Sequence, residues 1–115
     1  MSFQEEMSES RRRETVKLLM KKAPDRVPVV ITRMSSASNL PPLKPSKFLL
    51  RNDMLAIHLF NLIRCKLNLM PEESIYLTTN GIMISPSMHI CELYKEGHDE
   101  DGILYIKYGS ENVFG

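Results

Sequence analysis

The sequence has no long apolar run and few of the residues that build disulfide frameworks or phosphate-binding loops. Its 115 residues include two cysteines and five glycines. No stretch approaches the roughly 18 consecutive apolar residues that cross a bilayer, and the first residues lack the basic and apolar regions of a signal peptide. We therefore expect a soluble, intracellular and cytoplasmic protein in which Cys65 and Cys91 are reduced, buried thiols.

Residues with the spacing of a catalytic or metal site are also missing. His58, His89 and His98 do not approach a metal-binding spacing, and no glycine-rich loop precedes a predicted helix. A strand directly follows the acidic run Asp99 to Gly102, whereas an EF-hand loop has twelve residues between two helices. The sequence therefore predicts a protein that is not an enzyme and that uses no metal or cofactor.

Charge is distributed unevenly along the chain. Residues 1–51 hold 11 Lys or Arg and 5 Asp or Glu, a net charge of +6, whereas residues 52–115 hold 4 and 9, a net charge of −5. This asymmetry predicts a polarised surface that attracts acidic partners, or a basic helix that merely lies beside an acidic half. A small basic RNA-binding domain is a further alternative, although no pair of aromatic residues lies amid the basic ones as a stacking platform.

The hydrophobic periodicity predicts one α+β domain over residues 1–115. Within it, 1–24 is a helical extension, 34–46 is a proline-rich surface connection and 109–115 is a flexible tail. The predicted elements are a helix at 5–22, strands at 27–32 and 47–51, a helix at 52–70, strands at 74–79 and 82–84, a brief helix at 85–96 and a strand at 103–108.

Several separate motifs occur in an order that resembles a known family. They are Lys22 to Val30, Leu40 to Leu43, Lys47 to Leu49, Ile63-Arg64, Asp99 to Ile106 and Phe114-Gly115. From about Ser10 to Gly115 the chain resembles the autophagy ubiquitin-like modifiers of the GABARAP and microtubule-associated light-chain type. The resemblance implies a ubiquitin-like β-grasp, with a four-stranded mixed sheet, a crossing helix and two amino-terminal helices.

The first activity that the resemblance implies is conjugation through Gly115. Activating and conjugating enzymes would join this glycine to phosphatidylethanolamine on the autophagosome membrane, after a cysteine protease exposes it if the gene product extends further. The protein would be the substrate of that chemistry, cytoplasmic until a lipid anchors it to the membrane. A ubiquitin-like adaptor that is joined to protein, or to nothing, is the alternative.

The second implied activity is docking of aromatic-x-x-aliphatic motifs in cargo receptors and adaptors, by strand addition to Lys47 to Arg51. Carried over by the resemblance, the aromatic pocket comprises Leu19, Pro28, Lys47, Leu49 and Ile103. The aliphatic pocket comprises Phe48, Leu50, Met54, Leu59 and Leu62, and the acidic flank of the motif would meet Arg26, Lys47 and Arg64. Plain core packing is the alternative for the apolar members. Thr15, Arg51 and Gly102-Ile103 depart from the family pattern.

Overall fold

Five strands form one mixed sheet in the computed structural model, which describes residues 7–111. The elements are α1 (Glu9–Lys22), β1 (Arg26–Arg33), β2 (Lys47–Arg51), α2 (Ala56–Leu67), β3 (Ile75–Thr79), β4 (Ile82–Met83), α3 (Ile90–Gly97) and β5 (Leu104–Ser110). The strand order is β2-β1-β5-β3-β4. Only β1 and β5 run parallel, and the other neighbours are antiparallel.

The sheet has one strand more than the four that the resemblance implies, and its five strands match the five predicted from the sequence pattern. Ile82 and Met83 pair with the end of β3 as a short edge strand. The turn between them is Asn80-Gly81, whose φ angles of 52° and 76° are both positive, as a two-residue type I′ hairpin requires. The hairpin was predicted from this dipeptide, and its return strand completes the far edge of the sheet.

The amino-terminal extension contributes one helix to the described residues. Ser8 is its N-cap, because the Ser8 hydroxyl accepts a hydrogen bond from Arg11 N at 3.4 Å, which satisfies one of the free donors of the first turn. Residues 1–6, where the other predicted helix would have to begin, lie outside the described residues. No helix within residues 7–111 combines the length and the apolar character needed to cross a membrane.

Helices cover both faces of the sheet. Val16 of α1 packs with Val30 and Ile103 on one face. On the other face α2 and α3 bury the main core around Leu59 and Tyr108, each 0% exposed. The β-branched residues of β1 suit a strand that is covered on both sides.

The connection at 34–46 lies at the surface, as predicted, but three of its apolar side chains anchor it in the core. Ala37, Leu40 and Leu43 are buried in the main cluster, since short turns fold the segment back on itself. Tyr108 OH donates to Pro41 O at 2.6 Å and holds it against β5. The contact crosses 67 positions, so local composition does not reveal it.

Two further expectations were wrong. Strand β5 continues through Gly109 to Ser110, two residues into the predicted tail, because Ser110 pairs with Ile75 at the start of β3. Cys65 and Cys91 are exposed rather than buried. The buried residues of α2 recur every four positions through Ile63, which turns Cys65 toward solvent.

Candidate functional site

A cavity of about 330 Å³ lies between α1, the adjacent strands β1 and β2, and the residue before β5. Its lining residues are Met7, Thr15, Val16, Leu19, Pro28, Val29, Val30, Lys47, Phe48, Leu49 and Ile103. Most of these side chains are apolar, and α1 contributes them at positions three or four apart, on one side of the helix. The cavity therefore offers an apolar recess beside an edge of the sheet.

At this edge of the sheet lies β2, which has no further strand beside it within residues 7–111. Ile31 N donates to Ser46 O at 2.8 Å, and β1 and β2 are antiparallel in that register. Alternation along the strand then turns the backbone groups of Phe48 and Leu50 toward β1, and those of Lys47 and Leu49 toward the open edge. An extended segment could pair with these outward groups.

All five residues predicted for the aromatic pocket line this cavity. Lys47 and Leu49 are exposed at its rim, whereas Pro28 and Ile103 are buried in its floor. Sequence reasoning missed the other lining residues Met7, Val16, Val29 and Val30, and it named Thr15 only as a departure from the family pattern. Helical spacing from Leu19 reaches Thr15 and Val16, but nothing in the sequence indicates Met7.

The residues predicted for the aliphatic pocket lie in the main core or pack against it. Leu50 and Leu59 are 4% and 0% exposed and belong to the main core. Met54 and Leu62 are partly buried and pack against that core. Phe48 also packs against that core, and it lines the neighbouring aromatic cavity as well.

The basic residues predicted to face an acidic motif have different surroundings. Arg26 Nη1 donates to Leu49 O at 3.2 Å, so this guanidinium already lies at the open edge. Arg64 donates to the carbonyls of Met70 and Glu73 in the loop after α2, where it holds that loop. Lys47 is exposed at the rim of the cavity.

Arg51, at the end of the same edge strand, has an acidic neighbour. Its Nη2 lies 2.9 Å from Asp53 Oδ2, and the Arg51 guanidinium holds the pKa of that carboxyl below its usual value. Both side chains are exposed, so solvent screens the pair. An incoming acidic segment would therefore compete with Asp53 for Arg51.

A second, smaller cavity of about 130 Å³ lies at the opposite edge of the sheet. Ile82 and Met83 of β4 line it and are 70% and 63% exposed, and Glu96 of α3 contributes a carboxylate. None of the predicted site residues lies there. No cluster of side chains suited to a metal ion occurs within residues 7–111.

The predicted conjugation residue Gly115 lies outside the described residues. The described chain ends one residue after β5, where Glu111 N donates to Ser74 O at 3.0 Å. Asn39 Nδ2 also donates to Ser110 Oγ at 3.2 Å. Residues 112–115 therefore continue from a point that is held against the sheet, at the end remote from β4.

Known proteins show the same fold and extended sequence similarity. The family model described as Autophagy protein Atg8 ubiquitin like matches residues 11–115. Human microtubule-associated protein 1 light chain 3 gamma is 33% identical over 114 residues, which cover 98% of this chain and 78% of that protein. Autophagy-related protein 8 of Mycosarcoma maydis is 29% identical, with 99% of this chain and 96% of that protein covered.

The crystal structure of Trypanosoma brucei ATG8 superposes with a TM-score of 0.90 at 25% identity, covering 100% of this chain and 98% of that one. The predicted family and the ubiquitin-like fold are thus confirmed. Proteins of this family are ubiquitin-like modifiers of autophagy, and lipidation and membrane association are standard for them. The chain belongs to the Atg8 family of ubiquitin-like autophagy proteins.

Proposed function

We propose that this Atg8-family protein docks short acidic aromatic-x-x-aliphatic segments of cargo receptors and adaptors at the edge strand β2. The observation that carries the proposal is the preformed cavity beside β2, the edge strand of the sheet. Its volume of about 330 Å³ falls within the usual range of ligand pockets. A motif strand would pair with β2, and its aromatic side chain would enter the cavity.

Charge supports an acidic motif in particular. Arg26 reaches the open edge through its hydrogen bond to Leu49 O, and Lys47 stands at the rim. Acidic residues beside the aromatic side chain would meet these cations, which speeds association and fixes the register more than it adds affinity. The aliphatic residue of the motif would rest on Phe48, Met54 and Leu62, which are partly buried.

Calorimetric titration with an acidic aromatic-x-x-aliphatic peptide tests the docking. The Lys47→Glu and Phe48→Ala variants should each bind at least about tenfold more weakly, a loss of about 1.4 kcal/mol. Lys95→Glu makes the same charge change on exposed α3 and should bind as the native chain does. Unchanged affinity in both β2 variants would remove the edge strand as the docking site.

We also propose that Gly115 is the point of attachment to phosphatidylethanolamine. Its carboxylate would attack the α-phosphate of ATP and release pyrophosphate. The resulting acyl adenylate would pass to a cysteine thiol and release AMP, and a second thiol of the conjugating enzyme would take over the thioester. The lipid amine would then form the amide and release that thiol. A glycine suits this chemistry because it has no side chain to obstruct a narrow enzyme channel.

Conjugation requires Gly115 to reach the active sites of the activating and conjugating enzymes. Residues 112–115 can extend at most about 14 Å beyond Glu111, which lies at the end of the sheet remote from the second cavity. A lipid attached there converts a domain without a membrane-spanning helix in its described part into an anchored one. The protein would be cytoplasmic before the reaction and bound to the autophagosome after it.

Reconstituted lipidation tests the attachment site. The chain is incubated with the cognate activating and conjugating enzymes, ATP and liposomes that contain phosphatidylethanolamine. Gly115→Ala should lose the lipidated product, whereas Lys47→Glu should keep it because β2 takes no part in the reaction. Equal lipidation of Gly115→Ala and the native chain would show that another residue is joined. Absence of product from the native chain would favour an unconjugated adaptor.

A further inference from the structure

A buried ion pair joins α1 to the segment before β5. Arg12 Nε donates to Asp101 Oδ2 at 2.8 Å across 89 positions, and the two side chains are 11% and 1% exposed. Tyr105 OH donates to the same carboxylate oxygen at 2.6 Å. Ile103 N donates to Asp101 Oδ1 at 2.9 Å. Three donors from different parts of the chain thus converge on one carboxylate.

The partners of this ion pair also form the walls of the large cavity. Ile103, whose backbone Asp101 holds, lines the cavity, and so does Met7, whose carbonyl accepts a hydrogen bond from Arg12 Nη1. Arg12 itself precedes the lining residue Val16 by four positions on α1, which places both on one side of the helix. One guanidinium therefore connects three separate parts of the lining.

The backbone between the pair and the cavity also touches α1. Gly102 has a φ of 83°, and a Cβ at this position would lie 2.8 Å from Val16 Cγ1. Tyr94 OH donates to Gly102 O at 2.6 Å from the other side. Direct contact therefore limits how closely α1 and this segment can approach, and the ion pair holds them together at that contact.

We propose that Arg12 and Asp101 are a positioning pair, which holds the walls of the cavity at the spacing that accepts an aromatic side chain. The proposal rests on the docking function proposed above and deepens it. Neither residue needs to touch the peptide, because the pair acts through the cavity walls. Burial removes both charges from water, so such a pair is weak evidence for stability. Its geometric effect here is direct, since it links the amino-terminal part of the lining, Met7 and α1, to Ile103 near the other end of the described chain.

This role has a consequence for specificity. If the pair is lost, α1 and Ile103 are free to separate and the cavity widens. A Phe ring would then lose contacts with the opposite wall, whereas the larger Trp ring would keep more of them, because dispersion contacts fall off steeply with a small gap. Loss of the pair should thus change the ratio of affinities for Phe and Trp peptides, which a general loss of stability would not do.

The test compares two neighbouring ion pairs. The double variant Arg12→Met with Asp101→Asn leaves no unpaired buried charge, and the amide oxygen of the new side chain can still accept from Ile103 N. The control is Arg13→Met with Glu100→Gln, which removes the adjacent exposed pair, 3.6 Å apart with side chains 49% and 87% exposed. Both doubles and the native chain are titrated with two peptides that differ only in Phe or Trp at the aromatic position.

The double variant of the buried pair should bind the Phe peptide at least about tenfold more weakly, because the recess is no longer preorganised. Its affinity for the Trp peptide should fall by a smaller factor. The control double should stay within about twofold of the native chain for both peptides. Buried-pair variants that bind both peptides as the native chain does, or that weaken both in equal proportion, would overturn the proposal.

Thermal melting shows whether the double variant of the buried pair folds. If it does not, a conservative variant tests the same role. Arg12→Lys keeps the charge but cannot reach Asp101 and Met7 O as a guanidinium fork does. It should retain part of the affinity for the Phe peptide, with the same shift toward Trp, and an unchanged ratio would count against the role. If the native chain binds neither peptide, the docking function is wrong and the positioning role is wrong with it. If the native chain binds both and the affinity ratio does not change in the variants, only the positioning role is wrong.

Discussion

The two predicted halves of the peptide site differ in where their residues lie. The five aromatic-pocket residues surround a recess between α1 and the sheet edge, whereas Leu50 and Leu59 of the aliphatic set are core residues. Leu49 and Leu50 show the difference within one strand, since successive side chains point to opposite faces. An open recess can accept a ligand without rearrangement, whereas a site made of core residues must first give up packing.

The largest expected effects separate Leu49 from Leu50. Leu50→Ala should lower the free energy of unfolding by about 2–5 kcal/mol, because it removes buried methyl groups from the core. Leu49→Ala alters a partly exposed side chain, so it should cost less than about 1 kcal/mol of stability. It should nevertheless weaken binding of the aromatic peptide. Urea denaturation and calorimetry on both variants measure this. A Leu50→Ala chain of native stability would place that residue in the site after all.

A second, smaller contrast concerns the cavity wall at Gly102. Gly102→Ala places an alanine at a positive φ and its Cβ against Val16. It should therefore destabilise the fold by about 2 kcal/mol or more and weaken binding of the aromatic peptide. Gly81→Ala strains a similar φ of 76° but meets nothing within 4 Å, and should cost only about 1 kcal/mol. Denaturation curves of the two variants give the difference. An equal loss of unfolding free energy in the two variants would show that α1 moves away from residue 102 without loss of stability.

The smallest effect is a dependence of stability on pH, from the partly buried Tyr94 beside the cavity wall and the buried Tyr108 in the core. Burial raises the pKa of Tyr94, which the charge of Asp101 raises further, and burial also raises the pKa of Tyr108. Unfolded tyrosine ionises near about pH 10, so the folded state retains more protons above that pH. The stability that these groups contribute is complete below about pH 10 and is lost as the pH rises through the raised pKa values.

Denaturation at a series of pH values measures this loss, with Tyr94→Phe and Tyr108→Phe as controls. Each replacement removes one titrating group, so the decline of the unfolding free energy above about pH 10 should be shallower than in the native chain. Tyr94 supports the wall of the cavity through Gly102 O, whereas Tyr108 lies in the core. An unchanged decline in both variants would contradict buried, neutral tyrosines at these positions.

Local patterns were sufficient to predict most of the fold. The β-branched run of β1, the Asn80-Gly81 turn and the helical spacing of α2 are signals within a few residues, and the structure has these elements. The anchoring of the surface connection 34–46 in the core was not predicted, because Tyr108, far along the chain, holds Pro41 in place. The exposure of Cys65 was missed because residue type alone does not tell which side of a helix faces the sheet.

The aromatic recess was predictable by resemblance, since its residues lie on short motifs at β1, β2 and the turn before β5. Its support by the Arg12 and Asp101 pair was not predictable, because this contact joins the two ends of the described chain. Its completion by Met7 was not predictable either, because Met7 precedes α1 and no helical spacing includes it. Burial of Leu59 likewise depends on how α2 lies on the sheet. The sequence thus predicted five of the residues that line the aromatic recess. It did not show which of the aliphatic-pocket residues are buried in the core.

The most direct test is a nuclear magnetic resonance titration of the isotopically labelled native chain with an acidic aromatic-x-x-aliphatic peptide. Docking at β2 predicts the largest amide shift changes at Lys47, Leu49, Leu19 and Ile103, and new protection of the outward amides of β2 from exchange. The amides around Ile82 at the opposite edge should not respond. Changes centred on β4, or none at saturating peptide, would contradict the account.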